Sequence, residues 1–237
     1  MKTFKIRLKS KEMSNNNMSS FLVFDILEDF EFKTGQFVML TVPADMGEVK
    51  RAYSIASPAY EAQKNYQFSI YVKKASQAGA SKFLTQDIQP GQILEAKGPM
   101  GHFVDNEDTD KYLLISSGCG VGPVLAHYQR LKETQKYKKM VNIFGEKYVD
   151  EIVDSAKNKF TKDDSNTKSI FFFSREEELP DWSRKGYVQH ALDEAIEFLE
   201  DNNIKVFVCG LPQMVDDIKQ KLIDKGVDSN KIIFEKY

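Results

Sequence analysis

Residues 51–57 concentrate more usable chemistry than any comparable stretch of this 237-residue chain. A guanidinium (Arg51), a phenol (Tyr53) and two hydroxyls (Ser54, Ser57) stand there, with Ala52 and Ile55 between them. Arg51 presents a rigid fork of donors suited to a phosphate oxygen. The Tyr53 ring can lie flat on another ring. Ser54, on the opposite face of an extended strand, can bond a heteroatom at a ring edge. A phosphate, a planar heterocycle and a polar ring edge together describe a flavin nucleotide. Taken alone, these residues would equally make an ordinary strand with a surface arginine, so the rest of the sequence has to decide.

Three downstream stretches add anion or nucleotide chemistry. Gly79, Ala80 and Ser81 open a short helix, where small residues and free amides can receive a pyrophosphate. Gly118, Cys119 and Gly120, with Gly122 and Pro123 following, connect an apolar strand to a helix. Such glycines allow a tight turn and close approach of a diphosphate, although proline replaces the last glycine of the dinucleotide fingerprint. Ser174, Arg175, Lys185 and Tyr187 place hydroxyl, cationic and aromatic groups where a ribose 2′-phosphate and an adenine could be held. Acidic residues 176–178 stand beside them and would repel a phosphate if they faced it. Cys209 and Gly210, with Met214 further on, end another strand, so both cysteines are expected at the ligand edge of one sheet. The chain closes on Glu235 and Tyr237.

The elements that must carry these groups fall into two textures. Short strands are expected over 4–8, 18–25, 37–42, 53–55, 66–73 and 93–97, separated by turn residues, with one brief helix over 81–86 and a polar hairpin tip at 15–17. That pattern describes an antiparallel β-barrel. After a charged, apolar-free linker over 105–110, strands and helices alternate. Strands over 112–116, 140–144, 169–174, 206–209 and 232–234 are separated by helices over 123–134, 149–160, 188–200 and 212–225. Alternation of this kind builds a parallel sheet covered by helices, which binds ligands beyond the carboxyl ends of its strands. The fold class expected is therefore two domains: an antiparallel β-barrel FAD-binding domain (1–108) and an α/β parallel-sheet nucleotide-binding domain (109–237). The strand over 232–234 is expected at or near the centre of that sheet, which would hold Tyr237 in place.

Composition narrows the partners. Net charge is −2, which does not favour nucleic-acid binding. The first hundred residues lean basic and the remainder acidic, a polarity that could steer an acidic partner to the first half. No apolar run is long enough to span a bilayer, and the N-terminus reads as a strand without a signal-peptide core, so a cytoplasmic location is expected. Two cysteines cannot supply a four-cysteine iron–sulfur cluster or zinc site, and the three histidines are scattered without metal-ligand spacing, so no metal is expected and any metal redox centre must sit on another protein.

In their order, these motifs resemble the ferredoxin–NADP⁺ reductase superfamily. The resemblance runs through Arg51, Tyr53 and Ser54, the strand end Tyr71, Val72, Lys73, and Gly79 with Ser81. It continues through Gly98, Pro99 and Gly101, the 118–123 turn, Ser174 with Arg175, Lys185 with Tyr187, Cys209 with Gly210 and Met214, and the terminal Glu235 and Tyr237. It implies that Arg51, Ala52, Tyr53, Ser54, Tyr71, Val72, Lys73, Gly79, Ala80 and Ser81 hold FAD. It implies that Gly118, Cys119, Gly120, Ser174, Arg175, Lys185, Tyr187, Cys209, Gly210 and Met214 hold NADP(H), with NAD(H) open. Tyr53, Ser54, Cys209, Glu235 and Tyr237 would surround the hydride-transfer site, Tyr237 lying on the flavin where nicotinamide must come. Departures are Cys119 in place of the usual threonine, Lys147 where arginine often stands, and the acidic loop after Arg175. The implied activity is hydride transfer between NADP(H) and FAD, with single electrons passed to a separate ferredoxin or flavodoxin. Two further readings share the ligand set: an NADH-dependent reductase component of an oxygenase or a flavin reductase, and a non-catalytic electron-transfer subunit of a larger complex.

Overall fold

The computed structural model describes residues 1–44, 47–106, 109–160 and 163–237. The boundary expected between 108 and 109, and residues 107 and 108 of the expected linker, lie at or outside the edge of those described residues.

Six antiparallel strands form the first sheet: β1 (Lys2–Met13), β2 (Ser19–Ile26), β3 (Phe37–Ala44), β4 (Gly47–Ser54), β5 (Gln67–Lys73) and β6 (Ile93–Met100), in the order β4-β3-β6-β1-β2-β5. The sheet curls until an isolated bridge between Ile55 and Ile70 joins its two ends, closing the barrel. Alternation drives the curl's interior. In β1, Phe4, Ile6 and Leu8 are buried while Lys5 and Arg7 between them face water. The 15–17 tip is the β1–β2 hairpin, with Asn17 in the left-handed region at φ 58°.

Two helical pieces interrupt the barrel. α1 (Ala59–Asn65) was not legible in the sequence, because it buries only Ala62 and so has no apolar stripe. α2 (Ala80–Lys82) runs on into a π-helical turn, Phe83–Asp87, covering the expected 81–86 helix.

The second sheet is parallel and also six-stranded: β7 (Lys111–Ser117), β8 (Lys139–Glu146), β9 (Thr167–Phe173), β10 (Ser183–Lys185), β11 (Lys205–Gly210) and β12 (Ile232–Lys236), ordered β10-β9-β8-β7-β11-β12. Its strands are buried on both faces. Leu113, Ile115, Val141, Ile143, Ile170 and Phe172 pack under α5 (Leu192–Leu199) and α6 (Pro212–Asp224). Tyr112, Leu114, Met140, Phe144, Phe171 and Phe173 pack under α3 (Val121–Thr134) and α4 (Asp154–Phe160).

Three expectations need correction. The last strand is an edge strand, paired only with β11, rather than central. β10 adds a sixth strand too short to show a period. The helix expected over 149–160 breaks into a 3-10 turn, Val149–Glu151, and α4, because Ile152 and Val153 are drawn into the core and Tyr71 Oη engages the Val153 amide at 3.2 Å.

The two sheets share a core. Phe21, Ala56, Tyr71 and Phe103 from the barrel side lie in the same apolar cluster as Val121, Val124 and Phe207. Asp105, at the start of the expected linker, is no free spacer residue: it accepts from Arg130 at 2.6 Å and from Tyr112 Oη at 3.1 Å. His127 is fully buried at this junction, stacked on Phe207 at 4.0 Å, with Nε2 2.9 Å from the Phe103 carbonyl. Burial drives its pKa down from 6.5 to about 4, so the ring is neutral and donates to that carbonyl. A depressed histidine contributes stability above its unfolded pKa, and that stability drains as pH falls from about 6.5 towards 4. Wild-type protein should therefore lose roughly 2–3 kcal/mol between pH 6.5 and 4.5 from this group. Urea unfolding of wild type and His127→Gln at both pH values checks it: the variant should be less stable at pH 6.5 and show the shallower pH slope.

Candidate functional site

The strand ends of the second sheet open onto a cleft of about 860 Å³ that runs from Lys73 and Tyr237 on the barrel side to Arg175 and Tyr187. The sequence brings it about simply: β7, β8, β9 and β11 all finish on this side, and each hands its next residues to the rim. Of the expected nucleotide residues, Gly118, Cys119, Ser174, Arg175, Tyr187 and Met214 line the cleft, as does Tyr237. Cys209 is buried beneath it, 4% exposed. Gly120 lies behind the turn, where a Cβ would come within 2.3 Å of the Cys209 carbonyl oxygen. Lys185 turns to the Glu176 carbonyl.

The glycine turn is a 3-10 turn, Gly118–Gly120, running directly into α3. Gly118 has φ +50°, and a Cβ there would meet Tyr237 Oη at 2.7 Å. Tyr237 donates to the Ser117 carbonyl at 2.8 Å, while its amide reaches the Gly210 carbonyl at 3.4 Å. The terminal ring is thereby held across the turn, about half exposed. An edge strand holds it as well as a central one would. Burial raises its hydroxyl pKa well above the ordinary range.

Two of the polar contacts between barrel and sheet bear on the chemistry of the site. Ser54 Oγ donates to Glu235 Oε2 at 3.3 Å. Burial lifts the Glu235 carboxyl to about 7 against the downward pull of that hydrogen bond, well above the ordinary carboxylate range. The second is at Lys73, whose ammonium sits between Glu146 Oε1 at 2.6 Å and Glu151 Oε2 at 2.7 Å. Burial alone would lower Lys73, yet the two carboxylates outweigh it and its pKa is raised. Glu146 and Glu151 were missed in the sequence. An acidic residue ending the strand after a glycine turn and helix was the signal available for Glu146.

The other expected flavin residues lie away from this cleft. Arg51 is exposed on β4, its guanidinium turned back onto the Lys50 carbonyl at 2.9 Å. Ala52 is exposed beside it. Tyr53 is partly buried against the barrel core, and burial pushes its phenol up to about 12. Gly79, with φ +79°, has open space where a Cβ would stand, beside a small cavity of about 200 Å³. Ser81 Oγ accepts from the Ala75 amide at 3.2 Å, and Ala80 is buried. Val72 and Tyr71 are buried, with Tyr71 Oη donating to the Glu151 carbonyl at 3.3 Å. Their backbone, rather than their side chains, is what β5 can offer a ligand. Burial raises both thiol pKa values, Cys209 strongly, so each cysteine is a neutral thiol, and neither forms a disulfide. Among the described residues no cluster of His, Cys, Asp and Glu could hold a metal ion, and no helix is long and apolar enough to cross a membrane.

These features fit two nucleotides. A free guanidinium, a flat ring and a glycine opening suit a flavin dinucleotide on the barrel. The large cleft with buried, unpartnered Ser117 Oγ and Glu146 Oε2 has polar capacity left for a second ligand.

Comparison with known proteins agrees. Residues 5–104 match the oxidoreductase FAD-binding domain model and residues 114–220 the oxidoreductase NAD-binding domain model. Ferredoxin–NADP reductase B of Sorangium cellulosum is 29% identical over 216 residues, covering 88% of this chain and 86% of that protein. The toluate 1,2-dioxygenase electron transfer component of Pseudomonas putida is 26% identical over 230 residues, covering 96% of this chain. The chain spans only 65% of that relative's length. Among solved structures, a ferredoxin NADP⁺ reductase from Neisseria gonorrhoeae with bound FAD and NADP superposes with a TM-score of 0.80 at 19% identity, covering 100% of this chain and 99% of that one.

Proposed function

Because the chain belongs to the ferredoxin–NADP⁺ reductase-like flavoprotein superfamily, an oxidoreductase family of FAD and nicotinamide nucleotides, we propose that it is an NADPH-dependent ferredoxin or flavodoxin reductase. The observation that carries this reading is that Ser54 of the barrel bonds Glu235 of the last strand at 3.3 Å, while Tyr237, two residues on, lies over the glycine turn through the Ser117 carbonyl.

When bound, FAD exchanges a hydride with nicotinamide and single electrons with a one-electron carrier. The chain's own part is to bind, orient and shield. Arg51 would hold the flavin diphosphate, and Tyr53 would offer its ring to the flavin's ring system. Backbone of 71–73 and the Gly79–Ser81 opening complete that cradle. Gly118–Gly120 and the start of α3 receive the second diphosphate. Ser54 orients the ring edge and shares its hydroxyl proton with Glu235, whose near-neutral carboxyl can take or return a proton at Oε2. Cys209 fills the space beneath as a neutral thiol. Tyr237 keeps water off the pocket until nicotinamide displaces it, and positioning of the two rings then governs the rate.

For NADPH, Arg175 and Lys147 are exposed cations at the far rim of the cleft. The neighbouring acid least welcome there is occupied: Glu176 accepts from the Val149 amide at 2.9 Å, capping the 3-10 turn. Arg175→Glu should raise KM for NADPH by about a hundredfold, a charge reversal against a dianionic phosphate, and alter KM for NADH less than threefold. Steady-state reduction of a ferredoxin with each nucleotide measures it. Equal losses with both would remove the case for the 2′-phosphate.

The alternative, an NADH-dependent reductase component of an oxygenase, draws on the likeness to the dioxygenase component. On that reading wild type prefers NADH and the Arg175 substitution leaves KM for NADH unchanged.

A further inference from the structure

Glu146 is the last residue of β8, and its side chain is only 4% exposed. One carboxylate oxygen, Oε1, is fully engaged, taking the Lys73 ammonium at 2.6 Å and the Lys147 amide at 2.8 Å. The other, Oε2, is sealed from water and accepts nothing from the chain. Leaving a buried carboxylate oxygen without a donor costs on the order of 1–3 kcal/mol, so native structures rarely keep one without reason. Its position supplies a reason. Oε2 lies 3.8 Å from the point a Cβ would occupy on Gly118, and Tyr237 Oη lies 2.7 Å from the same point. The oxygen therefore lies beside the glycine turn and near the terminal ring, on the wall of the cleft.

A carboxylate there cannot receive a phosphate, since two anions in a poorly solvated cleft repel. It suits a neutral donor, and the donor-rich part of a dinucleotide next to its diphosphate is the ribose diol. We propose that Glu146 Oε2 accepts a hydrogen bond from a hydroxyl of the nicotinamide-side ribose, so that Glu146 fixes the angle at which the ring enters once Tyr237 has moved. This rests on the nucleotide reading above. Lys73 then acts as the positioning residue, holding the Glu146 carboxylate by its other oxygen, while Glu151 takes only the far side of that ammonium. The simpler account is that Glu146 serves only as one arm of the ion pair tying β5 to the second sheet.

Binding to the flavin-loaded, oxidised protein separates the two. The probes are nicotinamide mononucleotide and adenosine 2′,5′-bisphosphate, followed by calorimetry or difference absorbance. Glu146→Ala should weaken the mononucleotide about tenfold, the loss of one hydrogen bond to a charged acceptor, and leave the bisphosphate within twofold. Glu146→Asp keeps the charge but withdraws the oxygen, and should weaken the mononucleotide less, by about threefold to fivefold. Glu151→Gln breaks the other arm of the ion pair and should lower the melting temperature as Glu146→Ala does, with mononucleotide affinity retained within twofold. The proposal is overturned if Glu146 and Glu151 variants bind the mononucleotide alike, if both probes weaken together, or if Glu146→Ala changes neither. A wild-type protein that carries flavin but binds neither probe would instead remove the nucleotide reading beneath it.

Discussion

Replacing Tyr237 with serine should tighten binding of oxidised NADP⁺ by about tenfold to a hundredfold. Any nicotinamide entering above Gly118 must break the 2.8 Å bond from Tyr237 Oη to the Ser117 carbonyl and lift a half-buried ring off the turn. A hydrogen bond contributes about 0.5–1.5 kcal/mol net, and the lost contact of part of an aromatic ring adds a similar amount. Removing both obstacles returns that energy to the ligand, at about 1.4 kcal/mol per factor of ten. Turnover should fall in the same variant, because a nucleotide that no longer competes with the ring leaves slowly. NADH, which saturates wild type poorly on the NADPH reading, gains more rate at a fixed concentration than NADPH does, so discrimination narrows. Equilibrium titration and stopped-flow release report these effects. If affinity and release are both unchanged, the ring is no gate.

The second large effect concerns Arg51. Among the described residues no acid pairs with its guanidinium, which folds back on the Lys50 carbonyl, an arrangement a diphosphate would readily replace. Two charge-assisted hydrogen bonds at about 1.5 kcal/mol or more each correspond to roughly a hundredfold in affinity. Arg51→Ala should consequently purify with little flavin and bind added FAD about a hundredfold more weakly, measured by flavin fluorescence quenching. Arg51→Lys should recover only part, since a point charge cannot reproduce the planar fork. Because Arg51 is exposed and outside both cores, the melting temperature of the flavin-free protein should barely move. Full flavin content in Arg51→Ala would place the flavin phosphates elsewhere.

Much of this architecture was legible because its determinants are local. Alternation in β1 and the apolar runs of β7, β8 and β9 announce barrel and parallel sheet without help from tertiary contacts, and glycines 118 and 120 mark the tight turn between β7 and α3. What stayed hidden is non-local. Whether 149–160 is one helix depends on Tyr71, some 80 residues earlier, taking the Val153 amide. The edge position of β12 follows from how strands order in space, which no strand's own residues encode. The Lys73, Glu146 and Glu151 cluster joins three separate segments, and in the sequence each looks like a surface charge. Tyr71 and Ser81 likewise carry bonds that no motif announces: Tyr71 Oη takes the Val153 amide and Ser81 Oγ the Ala75 amide.

On the proposed function, a flavin resident on the barrel meets a nicotinamide arriving from the sheet. Anaerobic titration of the purified, FAD-loaded protein with NADPH addresses it most directly. One equivalent should bleach the flavin's visible absorbance, and a one-electron protein acceptor added afterwards should restore it. A polypeptide that takes up no FAD, or whose flavin stays oxidised with excess NADPH and NADH alike, would contradict the account.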